Sequence, residues 1–221
     1  MSFINMKDVG IKAVSHSRMK THEQCPRKAM YKFVDKLPEP GNEAMERGLA
    51  MHKVLENWVN TRLCRTVEGL KDGDLTLPNT PICSRIREDF VALLPWTKES
   101  WGDTSNDYKH HIYPEQQLAF DHEWNNCSWF GAEAWMRVVF DVVAHTPDKK
   151  HYELWDYKTG KVYDDHDQQA DLYALAGFMM GAETVVVKFY YLDQGVVQPY
   201  TYDLSEVEGI KEAVTARAER V

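Results

Sequence analysis

The segment HYELWDYKT carries a carboxylate and an ammonium group two residues apart, Asp156 and Lys158. Its alternation of apolar and polar residues predicts a strand. Residues i and i+2 of a strand face the same side, so Asp156 and Lys158 project together. Glu153, Trp155 and Tyr157 face the opposite side. Such a pair can bind a divalent metal, orient a water and offset charge on a phosphorane-like transition state. The alternative is a surface salt bridge at the end of an edge strand.

A second carboxylate, Asp141, directly follows the apolar run VVF, which predicts a central strand. A carboxylate beside a buried run is costly unless it is paired or binds a metal. One hairpin separates Asp141 from Asp156, so the two acids can face each other across neighbouring strands. Two oxygen donors in this arrangement suit Mg²⁺ or Mn²⁺. The alternative is an Asp that caps a turn at the strand end.

Residues 43–63 show the clearest helical pattern, with Gly48, His52, Leu55 and Val59 on one stripe. A histidine on such a stripe is either a buried core residue or a functional group. Gly48 lies one turn before His52, although glycine costs about 1 kcal/mol in a helix interior. We therefore expect a close approach of another backbone or of a ligand at Gly48.

Two further segments carry candidate binding residues. Gln169 and Tyr173 lie four residues apart on a helix predicted over 165–180, so they share a face and can reach a phosphate or a metal-bound water. They can equally be an ordinary polar surface pair. Residues 15–36 predict a short helix interrupted at Pro26, with basic residues mixed among aromatic ones, which suits a phosphate backbone and stacked bases. The basic residues are Arg18, Lys20, Arg27, Lys28 and Lys32, of which we single out Arg27 and Lys28 as candidates for binding nucleic acid or supporting the site.

The other elements complete an order of helix, three strands, helix and strand, which predicts an α/β (α+β) fold with a mixed sheet flanked by helices. The first two strands are expected over 112–124 and 129–145, joined by a turn at Asn125-Asn126, with Gly131 as a bulge or as the true start of the second strand. We expect a helix over 82–94, a strand over 184–192 paired with 194–204, and a last helix capped by Ser205 and Glu208. The 221 residues suit a single domain, with 64–111 as a helical or loop insertion.

Composition sets limits on partners and location. A net charge of −8 argues mildly against nucleic-acid binding, although metal ions reverse the local sign at clustered carboxylates. The four cysteines form no CxxC pair, so a zinc ribbon is not expected. The first residues lack an apolar leader and no long apolar run follows, which predicts a cytoplasmic protein with reduced thiols and no membrane association.

The segments RGLAMHKVLE, VVFDVV, LWDYKTGK and QQADLYAL, in this order, resemble motifs of the PD-(D/E)XK nuclease superfamily, in particular its RecB-like exonuclease branch. SHSRMKTHEQCPRKAMYKFV is similar to the N-terminal segment of that branch, so the resemblance extends over about residues 15–192. It implies the restriction-endonuclease-like core, whose element order agrees with the order predicted above.

The resemblance also implies roles for single residues. Asp141 and Asp156 would be metal ligands together with the backbone carbonyl of Tyr157, and His52 would be a further ligand. Lys158 would orient the attacking water and offset negative charge. Three more residues follow from the resemblance: Glu115 at an acidic position that some members have, and Gln169 and Tyr173 as groups that position DNA or the site.

Two departures limit what the resemblance implies. Several relatives hold a 4Fe–4S cluster; Cys25 matches its first ligand, but no cysteine follows Cys127, so we expect no iron–sulphur cluster and a buried Cys25. The helicase motif GxxxxGK[ST] is absent as well, which favours a stand-alone nuclease or a subunit that relies on a separate motor. Small stand-alone members of this kind occur in phages.

The sequence therefore predicts a Mg²⁺- or Mn²⁺-dependent DNA exonuclease acting on linear duplex or single strands. Recombination, repair or phage genome processing would employ it, in a bacterial or phage-infected cell, with a helicase, a recombinase or a single-strand-binding protein as possible partner. Two alternatives stay open. One is a catalytically weak adaptor that binds DNA ends, which the acidic charge favours. The other is a metal-dependent phosphoesterase for a small substrate.

Overall fold

The computed structural model describes residues 13–39, 41, 43–63, 77–94, 111–162 and 166–221. Their helices are α1 (His16–Gln24), α2 (Pro26–Ala29), α3 (Glu43–Arg62), α4 (Pro81–Leu93), α5 (His166–Met179) and α6 (Val207–Ala218), with a π-helical turn at Met30–Val34 and a 3₁₀ turn at Leu204–Glu206. The strands are β1 (Ile112–Phe120), β2 (Asn126–Cys127), β3 (Met136–His145), β4 (His151–Lys158), β5 (Thr184–Tyr191) and β6 (Val196–Asp203).

The strands form one mixed sheet in the order β2-β1-β3-β4-β5-β6. Among the strands that the structure describes, only β4 and β5 pair in parallel, and α5 provides the crossover that a parallel connection needs. The other neighbours pair in antiparallel, including the β5–β6 hairpin that the sequence predicts. The predicted fold class, a mixed sheet flanked by helices, is confirmed.

Helices cover both faces of the sheet. Residues of α1, α5 and α6 share one core with Leu154 of β4, and residues of α3 and α4 share a second core with Trp155 and Tyr157. The two sides of β4 therefore alternate between the cores, as the period of two predicts. The helices on the two faces approach different carboxylates. Helix α5 approaches Asp156 and Lys158 of β4, whereas α3 approaches Asp141 of β3.

A buried polar network fixes α4 against the sheet. Asp89 of α4 accepts a hydrogen bond of 2.8 Å from the hydroxyl of Tyr190 and lies 3.5 Å from the ammonium of Lys188. The same ammonium lies 2.7 Å from Glu153, whose carboxylate also accepts a bond of 2.6 Å from the indole of Trp155. Buried charges need such partners, so the network favours one position of α4 on the sheet.

Some predicted element boundaries are wrong. Strand β1 ends at Phe120, and the turn falls at residues 121–125, because the Asp121 carboxylate accepts the backbone N–H groups of Glu123 and Asn125. The next long strand begins at Met136 and not at residue 129, with turns between β2 and β3, so Gly131 lies outside it. Residues 82–94 are confirmed as helical, within α4 and the residue that follows it.

The predicted cap of the last helix is also wrong. Asp203 accepts the N–H of Ser205 at 3.0 Å, and Glu206 accepts the N–H of Asp203 at 2.7 Å. The reciprocal capping box thus belongs to Asp203 and Glu206, because a 3₁₀ turn precedes α6.

Other sequence expectations lie partly outside the described residues. Cys64 and most of the predicted insertion 64–111 belong to the undescribed ranges. Cys25 is exposed, not buried as predicted, because it lies at the junction where α1 ends and Pro26 begins α2. None of the described helices combines the length and apolar character that a bilayer crossing requires.

Candidate metal centre

Strands β1 and β3 are distorted where Glu115 faces Asp141. The pairs Pro114–Val142 and Gln116–Phe140 flank this position, and the pairing is interrupted between them. Glu115 has φ of 51°, a left-handed conformation that is unusual for a residue with a Cβ. The alternation of β3 changes phase at the same place: Phe140 lies in the core under α5, and Val142 lies in the core under α3.

The β3–β4 ladder also ends here. Pairing continues up to Val142 and Trp155 and stops before Asp141 and Asp156. Asp141 Oδ2 instead accepts a hydrogen bond of 2.5 Å from the backbone amide of Tyr157. Both carboxylates are buried, at 8% and 7% exposure. Asp141 therefore lies inside a strand of a central sheet, which excludes a role in capping a strand end.

Helix α3 brings His52 to Asp141. Its Nδ1 lies 2.8 Å from Asp141 Oδ1, while the side chain keeps 32% exposure. Gly48, one turn earlier, is buried, and a Cβ at that position would lie 3.0 Å from Thr159 Oγ1, just beyond β4. The close approach at Gly48 is thus to a side-chain hydroxyl just after the Asp156–Lys158 strand, and not to another backbone, which was one of the two predicted alternatives. A larger residue at position 48 would crowd the Thr159 hydroxyl, which would have to shift by a few tenths of an ångström.

His52, Glu115 and Asp141 form a group that fits a divalent cation. One donor atom of each lies within 4.8 Å of the others. Burial raises the pKa of Asp141, and the charge of Asp156 adds to this. Burial and Asp141 likewise raise the pKa of Glu115. Burial lowers the pKa of His52, but the hydrogen bond and charge of Asp141, with the charges of Asp156 and Glu115, together raise it overall. All three groups thus hold protons more tightly than usual, as expected where negative charge is crowded.

Asp156 is held by Lys158 and by residues of α5, which covers the face of the sheet opposite to α3. Lys158 Nζ lies 2.7 Å from Asp156 Oδ2 and donates to Gln169 Oε1 at 2.8 Å. Gln169 donates to Asp156 Oδ1 at 3.1 Å, and the hydroxyl of Tyr173 lies 2.6 Å from the same oxygen. That hydroxyl also lies 2.7 Å from the carbonyl of Val139, so it bridges the strands where their ladder is open. Gln169 and Tyr173 are buried, which excludes an ordinary surface pair.

Comparison with known families agrees with this arrangement. The model of the PD-(D/E)XK nuclease superfamily matches residues 13–221. The chain belongs to this superfamily. Its members are metal-dependent nucleases, and the group formed by His52, Glu115 and Asp141 is compatible with their use of divalent metal ions.

Two other comparisons add little to the superfamily assignment. No curated protein matches the chain. A solved structure described as the crystal structure of SSO0001 shares 12% identity, with coverage of 77% of this chain and 87% of that chain. Its TM-score is 0.26, and a likeness at that level carries no argument about fold or function.

The predicted site residues of this superfamily member do not all lie close together in the structure. Eight of them converge on one end of the β3–β4 pair, where the ladder opens: His52, Glu115, Asp141, Asp156, Tyr157, Lys158, Gln169 and Tyr173. Arg27 and Lys28 are exposed on α2 and make no described contact with this group. The basic residues that the structure places beside Lys158 are Arg18 and Arg137. Sequence reasoning missed them as a pair because α1 and β3 meet only in the folded chain.

Proposed function

We propose that this chain is a divalent-metal-dependent DNA nuclease of the RecB-like branch, acting as an exonuclease on linear duplex or single-stranded DNA. The observation that carries this proposal is the convergence of His52, Glu115 and Asp141 beside the Asp156–Lys158 pair. We take residues 1–221 as a single nuclease domain. DNA recombination, repair or phage genome processing is the proposed setting, with a helicase, recombinase or single-strand-binding protein as partner.

The proposed metal ligands are oxygen and nitrogen donors from three elements. Asp141 and Glu115 supply carboxylates from β3 and β1, and His52 supplies a ring nitrogen from α3. Asp156 and the carbonyl of Tyr157 are proposed as further ligands, because the Tyr157 backbone already lies against Asp141. Such a donor set suits Mg²⁺ or Mn²⁺. When bound, a cation of this kind lowers the pKa of a water and offsets charge on a phosphate.

Lys158 is the proposed orienting group for the attacking water. Its ammonium is held by Asp156 and Gln169, and its side chain keeps 20% exposure, so part of it faces the solvent. The three N–H donors of an ammonium allow it to keep these two partners and donate to a third oxygen, of a water or of the scissile phosphate. In that position its charge also stabilises the phosphorane-like transition state.

The test is cleavage of end-labelled linear duplex and single-stranded DNA with Mg²⁺, with Mn²⁺ and with EDTA. We expect metal-dependent loss of label by the wild type and none by Lys158→Ala or Asp156→Ala. Lys149→Ala is the matched control, since it removes an ammonium from the turn beyond the far end of β4. Closed circular single-stranded DNA distinguishes an exonuclease from an endonuclease, because an exonuclease needs a strand end and leaves the circle intact.

Each contrary result has a defined meaning. Wild-type activity of Asp156→Ala contradicts the assignment of the site. DNA retention in a gel shift without cleavage under either metal supports the adaptor that binds DNA ends. Cleavage of small phosphate esters but not of DNA supports the phosphoesterase.

A further inference from the structure

A cavity of about 430 Å³ opens beside Lys158, on the side that α5 covers. The first turn of α1 contributes His16, Ser17 and Arg18 to its wall, and the first residues of β3 contribute Arg137. Trp129, from the turn before β3, completes it. The cavity adjoins Gln169 and Tyr173, so it is continuous with the machinery that holds Asp156.

The charge of this cavity is opposite to that of the chain. No Asp or Glu is among its described lining residues, while Arg18, Arg137 and Lys158 all face it. The protein as a whole has a net charge of −8, so this cluster departs from the average surface. Lys158 already has Asp156 as a partner, but Arg18 and Arg137 have no carboxylate partner among the described residues. Two guanidinium groups in one cavity favour the binding of an anion.

Several polar atoms in this wall have unused hydrogen-bonding capacity. Arg137 Nε and His16 Nδ1 are buried and have no hydrogen-bond partner among the described residues. Arg18 donates one Nη to the Ala13 carbonyl, which anchors the side chain at the cavity. Burial lowers the pKa of Arg18, and the charge of Arg137 contributes, so the two guanidinium groups are close enough to repel each other. A buried donor without an acceptor is costly, and a bound anion would supply the acceptor.

The donor geometry suits a phosphate in particular. Guanidinium groups bind phosphate oxygens in a forked manner. The first backbone N–H groups of a helix add an anion-binding end, and Ser17 lies in the first turn of the nine-residue α1. The guanidinium of Arg137 lies 5.2 Å from the ring of Trp129, and the adjacent Phe130 is 87% exposed. The ring of Trp129, which lines the cavity, offers a stacking surface for the base next to such a phosphate.

We propose that this cavity is an anion subsite that binds a phosphate group of the substrate strand at a distance from the scissile phosphate, with Arg18 and Arg137 as its ligands. The subsite deepens the proposed function and rests on it for the identity of the strand. The phosphate is either an internal diester or a terminal monoester. A terminal monoester would make the enzyme select strand ends.

The test measures binding without metal, so that it does not depend on catalysis. In EDTA the carboxylates of Glu115, Asp141 and Asp156 repel a phosphate, and binding then reports the cationic cavity. The probes are tetrathymidylate with a 5′-phosphate, with a 3′-phosphate and with two hydroxyl ends, titrated calorimetrically into the full chain. Wild type is compared with Arg137→Gln and with Ser17→Glu.

The Ser17→Glu variant guards against a simple folding defect. Ser17 is exposed, and an acid in the first turn of a helix is stabilising, so the variant should fold. Its carboxylate would nevertheless repel an anion at the cavity. Ser17→Gln is the neutral control of the same size, and Lys149→Gln removes a positive charge far from the cavity.

We expect Ser17→Glu and Arg137→Gln to weaken binding at least about tenfold, as the loss of a charge-assisted contact implies. Ser17→Gln and Lys149→Gln should stay within about twofold of wild type, a change too small for a lost charged contact. Tighter binding of one phosphorylated probe identifies a terminal monoester, and equal binding of all three identifies an internal diester. No binding by the wild type, or wild-type binding by Ser17→Glu, overturns the subsite. Cleavage by the wild type is assayed separately, so the loss of one proposal leaves the other standing.

Discussion

Glu115 and Asp141 face each other on antiparallel strands, yet they form the one position between Ile112 and Phe120 where β1 and β3 do not pair. Glu115 adopts φ of 51° at that position. A strained backbone of this kind costs on the order of 1–3 kcal/mol and persists where the surroundings impose it. Here the distortion places both carboxylates near His52, within 4.8 Å. The site therefore depends on a defect in the sheet as much as on the acids themselves.

Replacing Glu115 by Gln should weaken Mn²⁺ binding at least about tenfold, because even groups that only support metal ligands typically contribute that much. The substitution keeps the size of the side chain and removes its charge. Calorimetric titration of Mn²⁺ into the variant and the wild type measures the change. Glu123→Gln is the control, since Glu123 is an exposed acid in the turn after β1. Equal affinities in Glu115→Gln and wild type would remove Glu115 from the ligand set.

Metal affinity should also fall as the pH falls. Burial lowers the pKa of His52, but the hydrogen bond and charge of Asp141, with the charges of Asp156 and Glu115, together raise it above 6.5, so the metal-free ring keeps its proton to a higher pH than an ordinary histidine does. Metal binding must displace that proton, and affinity then decreases by up to about tenfold per pH unit below this raised pKa. Mn²⁺ titrations between about pH 8 and about pH 6 test this. His52→Gln should show a flatter profile, and an unchanged slope in that variant would contradict the role of His52.

Part of this site was predictable from local patterns. The helical stripe placed His52 and Gly48 on one face, and the period of two placed Asp156 and Lys158 together, as their distance of 2.7 Å confirms. Such patterns are visible because each depends on the repeat of a single element. The distortion at Glu115 was not predicted from the sequence, although Pro114, which precedes it, is a residue that disrupts strands.

The remaining features depend on contacts between distant segments. Arg18 and Arg137 share a cavity only because Val14, just before α1, pairs with Met136 at the start of β3. The capping box of Asp203 and Glu206 was missed for a local reason, since a 3₁₀ turn shifts the helix start by two residues. Cys25 was expected to be buried from its residue type, but the kink before Pro26 leaves it at the surface.

Tyr173→Phe should reduce cleavage by about 10- to 100-fold without unfolding the protein. The hydroxyl bridges Asp156 Oδ1 and the Val139 carbonyl, and its loss frees the carboxylate to rotate. The phenyl ring keeps its contact with Phe140, at 4.6 Å between centroids. Cleavage rates and thermal melting of the same preparations distinguish the effects. If Asp156 is only positioned by Tyr173, kcat falls while KM for DNA is retained. A loss of melting temperature in proportion to the loss of rate would instead indicate a structural role.

His16 should make the protein sensitive to mild acid. Burial lowers its pKa from 6.5 to about 3, with a contribution from Arg217 and Lys158. The unfolded chain therefore binds this proton first, so the stability is fully present above pH 6.5 and is lost as the pH falls towards 3. The loss amounts to about 1.4 kcal/mol per pH unit. Urea unfolding at about pH 7 and about pH 5, in EDTA without phosphate, measures it. In His16→Phe this component should vanish; an identical pH dependence in both proteins would refute the assignment.

The seating of α4 should depend on Asp89 much more than on its exposed partner Arg85. Asp89→Ala leaves the buried hydroxyl of Tyr190 without its acceptor and takes one carboxylate from Lys188, which together cost about 3 kcal/mol. Arg85→Ala removes a largely exposed ion pair and should cost less than about 1 kcal/mol. Asp89→Asn should fall between them, because an amide oxygen can still accept from Tyr190. Urea unfolding of the three variants measures the differences in the free energy of unfolding. Equal costs for Asp89→Ala and Arg85→Ala would mean that apolar packing alone seats α4.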